Sequence, residues 1–107
     1  MKNSSSSNFC FRIHDAGSNM ILAICDESTL GLSLEEGELR LEVSRDFYSG
    51  SECDESEALE LIESNTIVNA VGEGIISLML KNKLVEESNV LRISGVPHAQ
   101  LISVVKS

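Results

Sequence analysis

Tryptophan is absent from this sequence, and only one tyrosine, three phenylalanines and one proline occur. Any core built from it has to be mostly aliphatic. Cations are scarce as well: eight lysines and arginines stand against seventeen acids, for a net charge of −9. Broad, non-specific nucleic-acid binding needs many cations to neutralise phosphates, so that class is excluded. Two histidines, His14 and His98, are too few for a multi-histidine metal site within one chain. Cys10, Cys25 and Cys53 are odd in number and contain no Cys-x-x-Cys pair, so neither a zinc knuckle nor a redox pair is indicated. They read as small buried hydrophobes of a reducing compartment. No run approaches the roughly 20 apolar residues of a membrane-spanning helix. The polar start, Met1 to Asn8, lacks the apolar stretch of a signal peptide. The expectation is a soluble, cytoplasmic protein with no membrane partner. Gly-rich phosphate loops, His-Glu-x-x-His and Gly-x-Ser-x-Gly are also missing, so no cofactor and no metal are expected.

What is present describes one domain. At 107 residues, 42% of them hydrophobic and 23% charged, the chain can bury a single core without staples. Residues 1–8 read as a disordered tail and 9–107 as a single α+β domain. Charge is uneven along it. Between Asp26 and Glu63, thirteen acids face only Arg40 and Arg45. This segment suits a basic protein partner, and it serves equally as a solvated face that keeps the chain soluble.

The hydrophobic period identifies the elements. Phe9, Phe11 and Ile13 alternate with Cys10, Arg12 and His14, the pattern of a half-buried strand. Turn chemistry at Ala16-Gly17-Ser18-Asn19 and the apolar run Met20 to Cys25 complete a hairpin. Leu39, Leu41 and Val43 alternate with Glu38, Arg40 and Glu42, a strand with one wet face. Asp54 and Glu57 form a capping pair for a helix carrying Ala58, Leu61 and Ile62. After a break at Asn65, a second helix is predicted from Thr66, with Ile67 or Val68, Val71, Ile75 and Leu78 or Met79 at helical spacing. Strands follow at 90–93 and 101–105. The predicted fold is an antiparallel sheet of about five strands with two helices on one face, in the order βββααββ.

Two segments spend residues in ways folding alone does not obviously require. In the first, Gly72 and Gly74 interrupt the second predicted helix, where each glycine costs about 1 kcal/mol relative to alanine. Asn69 and Glu73 lie four apart beside Gly72, so a polar pair would flank bare backbone, open to a ligand or another chain. The glycines would equally serve close packing. The second segment, 94–100, carries the only proline. Gly95 and Pro97 would stiffen it and present His98 and Gln100 at defined angles, for binding or for general-base chemistry.

Four stretches taken in order carry a resemblance: Cys25-Asp26 with Leu30-Gly31; 37–44 with Phe47-Tyr48; Asn69-Ala70-Val71-Gly72-Glu73; and 89–92 with 95–100. Together they resemble the archaeal domain of unknown function 424 family over nearly the whole chain after the serine tail. The resemblance implies an archaeal, cytoplasmic, single-domain protein with no established activity and a link to translation or RNA. The family pattern often carries a basic residue after the Leu-Gly pair; Leu32 stands there, which weakens an RNA contact by that loop.

The leading expectation is a non-catalytic interaction module for a protein or a ribonucleoprotein. Its binding residues are Asn69, Gly72, Glu73, Gly95, Pro97, His98 and Gln100, and any RNA would face Arg12, Lys81, Lys83, Arg92 and Lys106. The alternative is a small-molecule enzyme with His98 as general base oriented by Glu73. A third reading is a homo-oligomer joined through the glycine-bearing helix.

Overall fold

Period-two alternation at the start of the chain folds as its spacing requires. In the computed structural model, which describes residues 8–102, β1 (Phe9–Ala16) and β2 (Asn19–Asp26) form an antiparallel hairpin. Gly17 supplies the left-handed backbone of its turn, at φ 79°. Except for Asn8, the predicted tail lies outside the described residues.

The chain then leaves the main sheet. β3 (Ser33–Glu36) and β4 (Leu39–Glu42) pair only with each other, forming an arm that turns at Gly37. The wet-faced strand expected at Leu39 is therefore real but belongs to this arm. A short helix, α1 (Arg45–Tyr48), follows, with the Phe47 N–H donating to Ser44 Oγ at 3.2 Å. β5 (Ser51–Cys53) returns to the main sheet beside β1. The predicted capping pair is present at α2 (Glu55–Ser64): the Glu57 N–H donates to Asp54 Oδ1 and the Asp54 N–H to Glu57 Oε1. This satisfies two of the backbone donors that a helix start leaves free.

The second predicted helix is corrected in its first half. Residues Ile67–Val71 form a strand, β6, and only Glu73–Lys81 is helical, as α3. The stretch is rich in β-branched residues, fully buried on its helix-covered face and partly covered on the other, where strand propensity and packing outweigh a coincidental helical spacing. β7 (Leu91–Ile93) and β8 (Val96–Ile102) close the fold as a hairpin. The predicted interruption at 94–100 shrinks to the two-residue turn Ser94-Gly95.

The main sheet has six strands in the order β5-β1-β2-β6-β8-β7. It is mixed: β2 and β6 run parallel, and every other neighbouring pair is antiparallel. A parallel pair needs a crossover, and here the chain from β2 to β6 passes through the arm, α1, β5 and α2. The expected helices on one face are observed. Ala58 and Ile62 of α2 and Ile75, Ile76 and Met79 of α3 pack on Leu22, Ile24, Val68, Ala70 and Ala99. Each fully buried aliphatic side chain of this size contributes about 1.5–3 kcal/mol, so this cluster dominates stability. On the opposite face Val43 and Tyr48 cover Cys10, Ala23, Cys25 and Val71. No helix among the described residues is long and apolar enough to cross a membrane.

Candidate functional site

The two segments singled out in the sequence meet in the sheet. Asn69 of β6 lies opposite Gln100 of β8, and Val71 opposite His98. Directly opposite residues share a face, and Val71 packs under Val43 and Tyr48. Asn69, His98 and Gln100 therefore lie on the face away from α2 and α3. The adjacent row on that face is Ile21, Ile67 and Ile102, joined in register across β2, β6 and β8. The cover formed by α1 and the arm protects only part of this face: Gln100 is exposed, Asn69 and His98 are half-buried, and Ile102 is 61% exposed.

Chemically, this open part carries no acid in the Asn69–Gln100 row, has Arg12 at its β1 edge in register with Ala23 and Asn69, and keeps hydrogen-bonding capacity to spare. Among the described residues, the side chains of Asn69, His98 and Gln100 make no hydrogen bond. Burial holds the His98 imidazole below its usual pKa of 6.5, favouring the neutral ring. The neutral ring offers one donor and one acceptor. His14, on the same face of β1, is committed elsewhere. Its Nε2 donates to the Phe47 carbonyl oxygen at 2.9 Å, and its ring stacks on Phe47 at 4.5 Å.

Gly72 and Gly74 have a packing role that the sequence left as one of two readings. The Asp26 carboxylate accepts the Gly74 N–H at 2.7 Å and the Ile75 N–H at 2.8 Å, closing the first turn of α3. A Cβ on Gly72 would lie 2.5 Å from Asp26 Cγ, and one on Gly74 3.0 Å from Asp26 Oδ1. Gly72 also sits at φ 123°, a backbone few other residues adopt. The bare backbone is filled by the protein's own carboxylate. Burial raises the Asp26 pKa, the two N–H bonds oppose that rise, and nearby Glu73 adds to it. Asp26 had only its place at the end of an apolar strand to mark it; nothing local signals a cap reached across the fold.

The remaining sequence-predicted residues separate from the Asn69–Gln100 row. Glu73 accepts an ion-paired hydrogen bond from Arg92 at 3.0 Å. Gly95, at φ 83°, and Ser94, at φ 52°, make the β7–β8 turn. Ser94 binds the arm through Glu35 and Glu36. Pro97 is buried within β8, and its carbonyl accepts the Gly72 N–H at 2.9 Å. The Gly72 carbonyl is taken by the Ile76 N–H at 3.0 Å. An N–H at position 97 would find no acceptor there, which is why a strand tolerates proline at this point.

Among the described residues no hydrogen bond or ion pair joins His98 to Glu73. The expected basic residues are dispersed too. Arg12 is on the open sheet face, Arg92 is paired with Glu73, Lys81 and Lys83 lie at the far end of α3, and Lys106 is outside the described residues. The fold sets Cys10 opposite Cys25. Burial pushes the Cys25 and Cys53 thiols up to about 11 and raises Cys10, so none is a ready nucleophile.

Comparison with known proteins agrees with this fold. A crystal structure of an uncharacterized conserved protein from Methanopyrus kandleri is similar, with a TM-score of 0.77 and 30% identity. The similarity covers 92% of this chain and 94% of that one. No curated protein matches. A family model described as "Protein of unknown function (DUF424)" matches residues 11–104. The four sequence stretches, the shared architecture and this nearly end-to-end match place the chain in the DUF424 family.

Proposed function

We propose that this protein is a non-catalytic interaction module that docks a protein, or the protein part of a ribonucleoprotein of the translation apparatus, on the open part of its main sheet. Asn69, His98 and Gln100 supply the polar contacts, and Ile21, Ile67 and Ile102 the apolar ones. One observation carries the reading. A chain of net charge −9 places no acid in the Asn69–Gln100 and Ile21–Ile102 rows, and among the described residues the side chains of Asn69, His98 and Gln100 have no hydrogen-bond partner. Depletion of charge at the centre with polar groups among apolar ones is the composition of protein interfaces. A phosphate backbone suits the surface less well, because the cations it would need are spread over separate parts of the molecule. Gly72, Glu73, Gly95 and Pro97 then act by building the strands that hold this row.

The alternative enzyme reading draws support from the neutral His98 ring, which suits a general base. It loses its second member, since Glu73 is engaged by Arg92. The homo-oligomer reading loses its basis at the glycines, whose open backbone Asp26 already occupies.

The test is affinity capture from a native lysate at moderate salt, comparing the natural chain with Gln100→Glu, a shape-conserving change that places charge on the open face. The reading expects a specific set of partners that the variant loses by about tenfold, the scale of one misplaced interfacial charge. Equal capture by both proteins, or no specific partner at all, rejects it.

A further inference from the structure

We propose that the cleft between β1, β5 and α2 docks a lysine- or arginine-bearing segment of a partner protein, seated by one aliphatic or aromatic anchor. The cleft, of about 280 Å³, is lined by Phe11, Cys53 and Leu61 and rimmed by Glu57, Glu60 and Ser64, with Glu52 at its outer edge in register with Cys10 on the other face of β5. That volume lies at the small end of ligand sites and accepts one large side chain. Phe11 and Leu61 are half-buried at the margin of the helix-covered core. An anchor placed on them would extend that core outward.

Charge selects the occupant. No lysine or arginine occurs between Arg45 and Lys81. Among the described residues the rim carboxylates form no ion pair, because the salt bridges are confined to Arg40 and Arg92. Glu57 Oε1 accepts the Asp54 N–H of the capping box, which commits one of its two oxygens. The others keep their capacity to accept charge-assisted hydrogen bonds. A single multivalent cation does not fit, since no three acidic, histidine or cysteine side chains among the described residues stand close enough to hold a metal. Spaced carboxylates around an apolar floor match spaced cations around an apolar anchor. Phosphate is repelled, and so is a second copy of a chain carrying net charge −9. This surface is distinct from the Asn69–Gln100 row, so either proposal can fail alone.

The experiment is an NMR titration of the full chain with a short synthetic peptide bearing one leucine flanked by lysines. Amide shifts should concentrate at Phe11, Glu52, Cys53 and 57–64. The exposed change Glu60→Lys should weaken binding by about threefold to fivefold, as expected for reversing one surface charge pair. Replacing the peptide's leucine with serine should also weaken it severalfold. Shifts spread evenly over all acids, including Glu35, Glu42 and Asp46, would overturn the proposal. So would equal binding of the serine peptide, shifts centred on 96–102, or concentration-dependent shifts of the cleft amides without peptide.

Discussion

Under α2 and α3 the main sheet presents Leu22, Ile24, Val68 and Ala70, none with any exposure. Turned over, β6 presents Asn69 beside Gln100 of the neighbouring β8, whose described part runs to Ile102. Asn69 alternates with Val68 and Ala70 along β6, as Gln100 and Ile102 alternate with Ala99 and Leu101 along β8, so strand formation demands neither the polar pair nor the bare isoleucine. A sheet face turned to water ordinarily carries charged side chains, which leave solubility and fold intact. This chain has acids in excess and places none among these residues. The sealed face explains why the protein folds; the composition of the open face is what the proposed docking surface rests on.

That contrast is sharpest in the cost of deleting one side chain on each face. Ile76→Ala removes a fully buried residue of α3 from the sealed side and is expected to cost about 4 kcal/mol. Ile102→Ala should cost less than about 0.5 kcal/mol, since the side chain is already largely in water. Urea unfolding of both variants measures this. A large cost at Ile102 would break the comparison, because the face would then be closed in solution by the protein itself.

Gly72 tests where the faces meet. Gly72→Ala is expected to cost about 3 kcal/mol, from a left-handed backbone and the approach to Asp26. Asp26→Ala should cost about 2 kcal/mol by freeing the Gly74 and Ile75 N–H groups. In the double variant the two costs should fall short of their sum by about 1 kcal/mol, since the clash is relieved while the backbone strain persists. Strict additivity would mean that Asp26 moves aside freely. The glycine would then be available to an outside contact after all.

What was legible in the sequence was local. The Gly17 turn joins neighbouring segments, and Asp54 with Glu57 caps its own helix, so both could be found from spacing. β6 could not, because Val68, Val71 and Ile75 satisfy a helical stripe while Ile67–Val71 is a central strand covered fully on one face and partly on the other. Only the tertiary pairing with β2 decides between them. Pro97 misled for a related reason: its missing N–H is costly in a central strand unless the neighbouring acceptor is occupied, and Ile76 occupies it from α3. Asn69 and Gln100 were each noticed, yet their pairing is a product of sheet order, and the isoleucine row beside them carried no signal. The site was thus legible as residues and illegible as a surface.

The smallest expected effect is also the most discriminating, because His98 stands at the border between covered and open sheet. Burial lowers its pKa in the folded protein, so the native state binds that proton less readily than the unfolded chain. Its contribution to stability is therefore complete above the ordinary value of 6.5 and declines as pH falls below it. His98→Gln should flatten the loss of stability between pH 6.5 and about 5 without altering stability at pH 8 or so. In the natural protein the His98 ring proton signals should titrate with a midpoint below 6.5. A midpoint above that value would require a carboxylate close to the ring, since an acid partner raises a histidine pKa where burial alone lowers it. Glu73, the acid expected to orient His98, would first have to leave Arg92. A raised midpoint would thus restore an acid partner to the general-base reading, and a lowered one is what burial without such a partner gives.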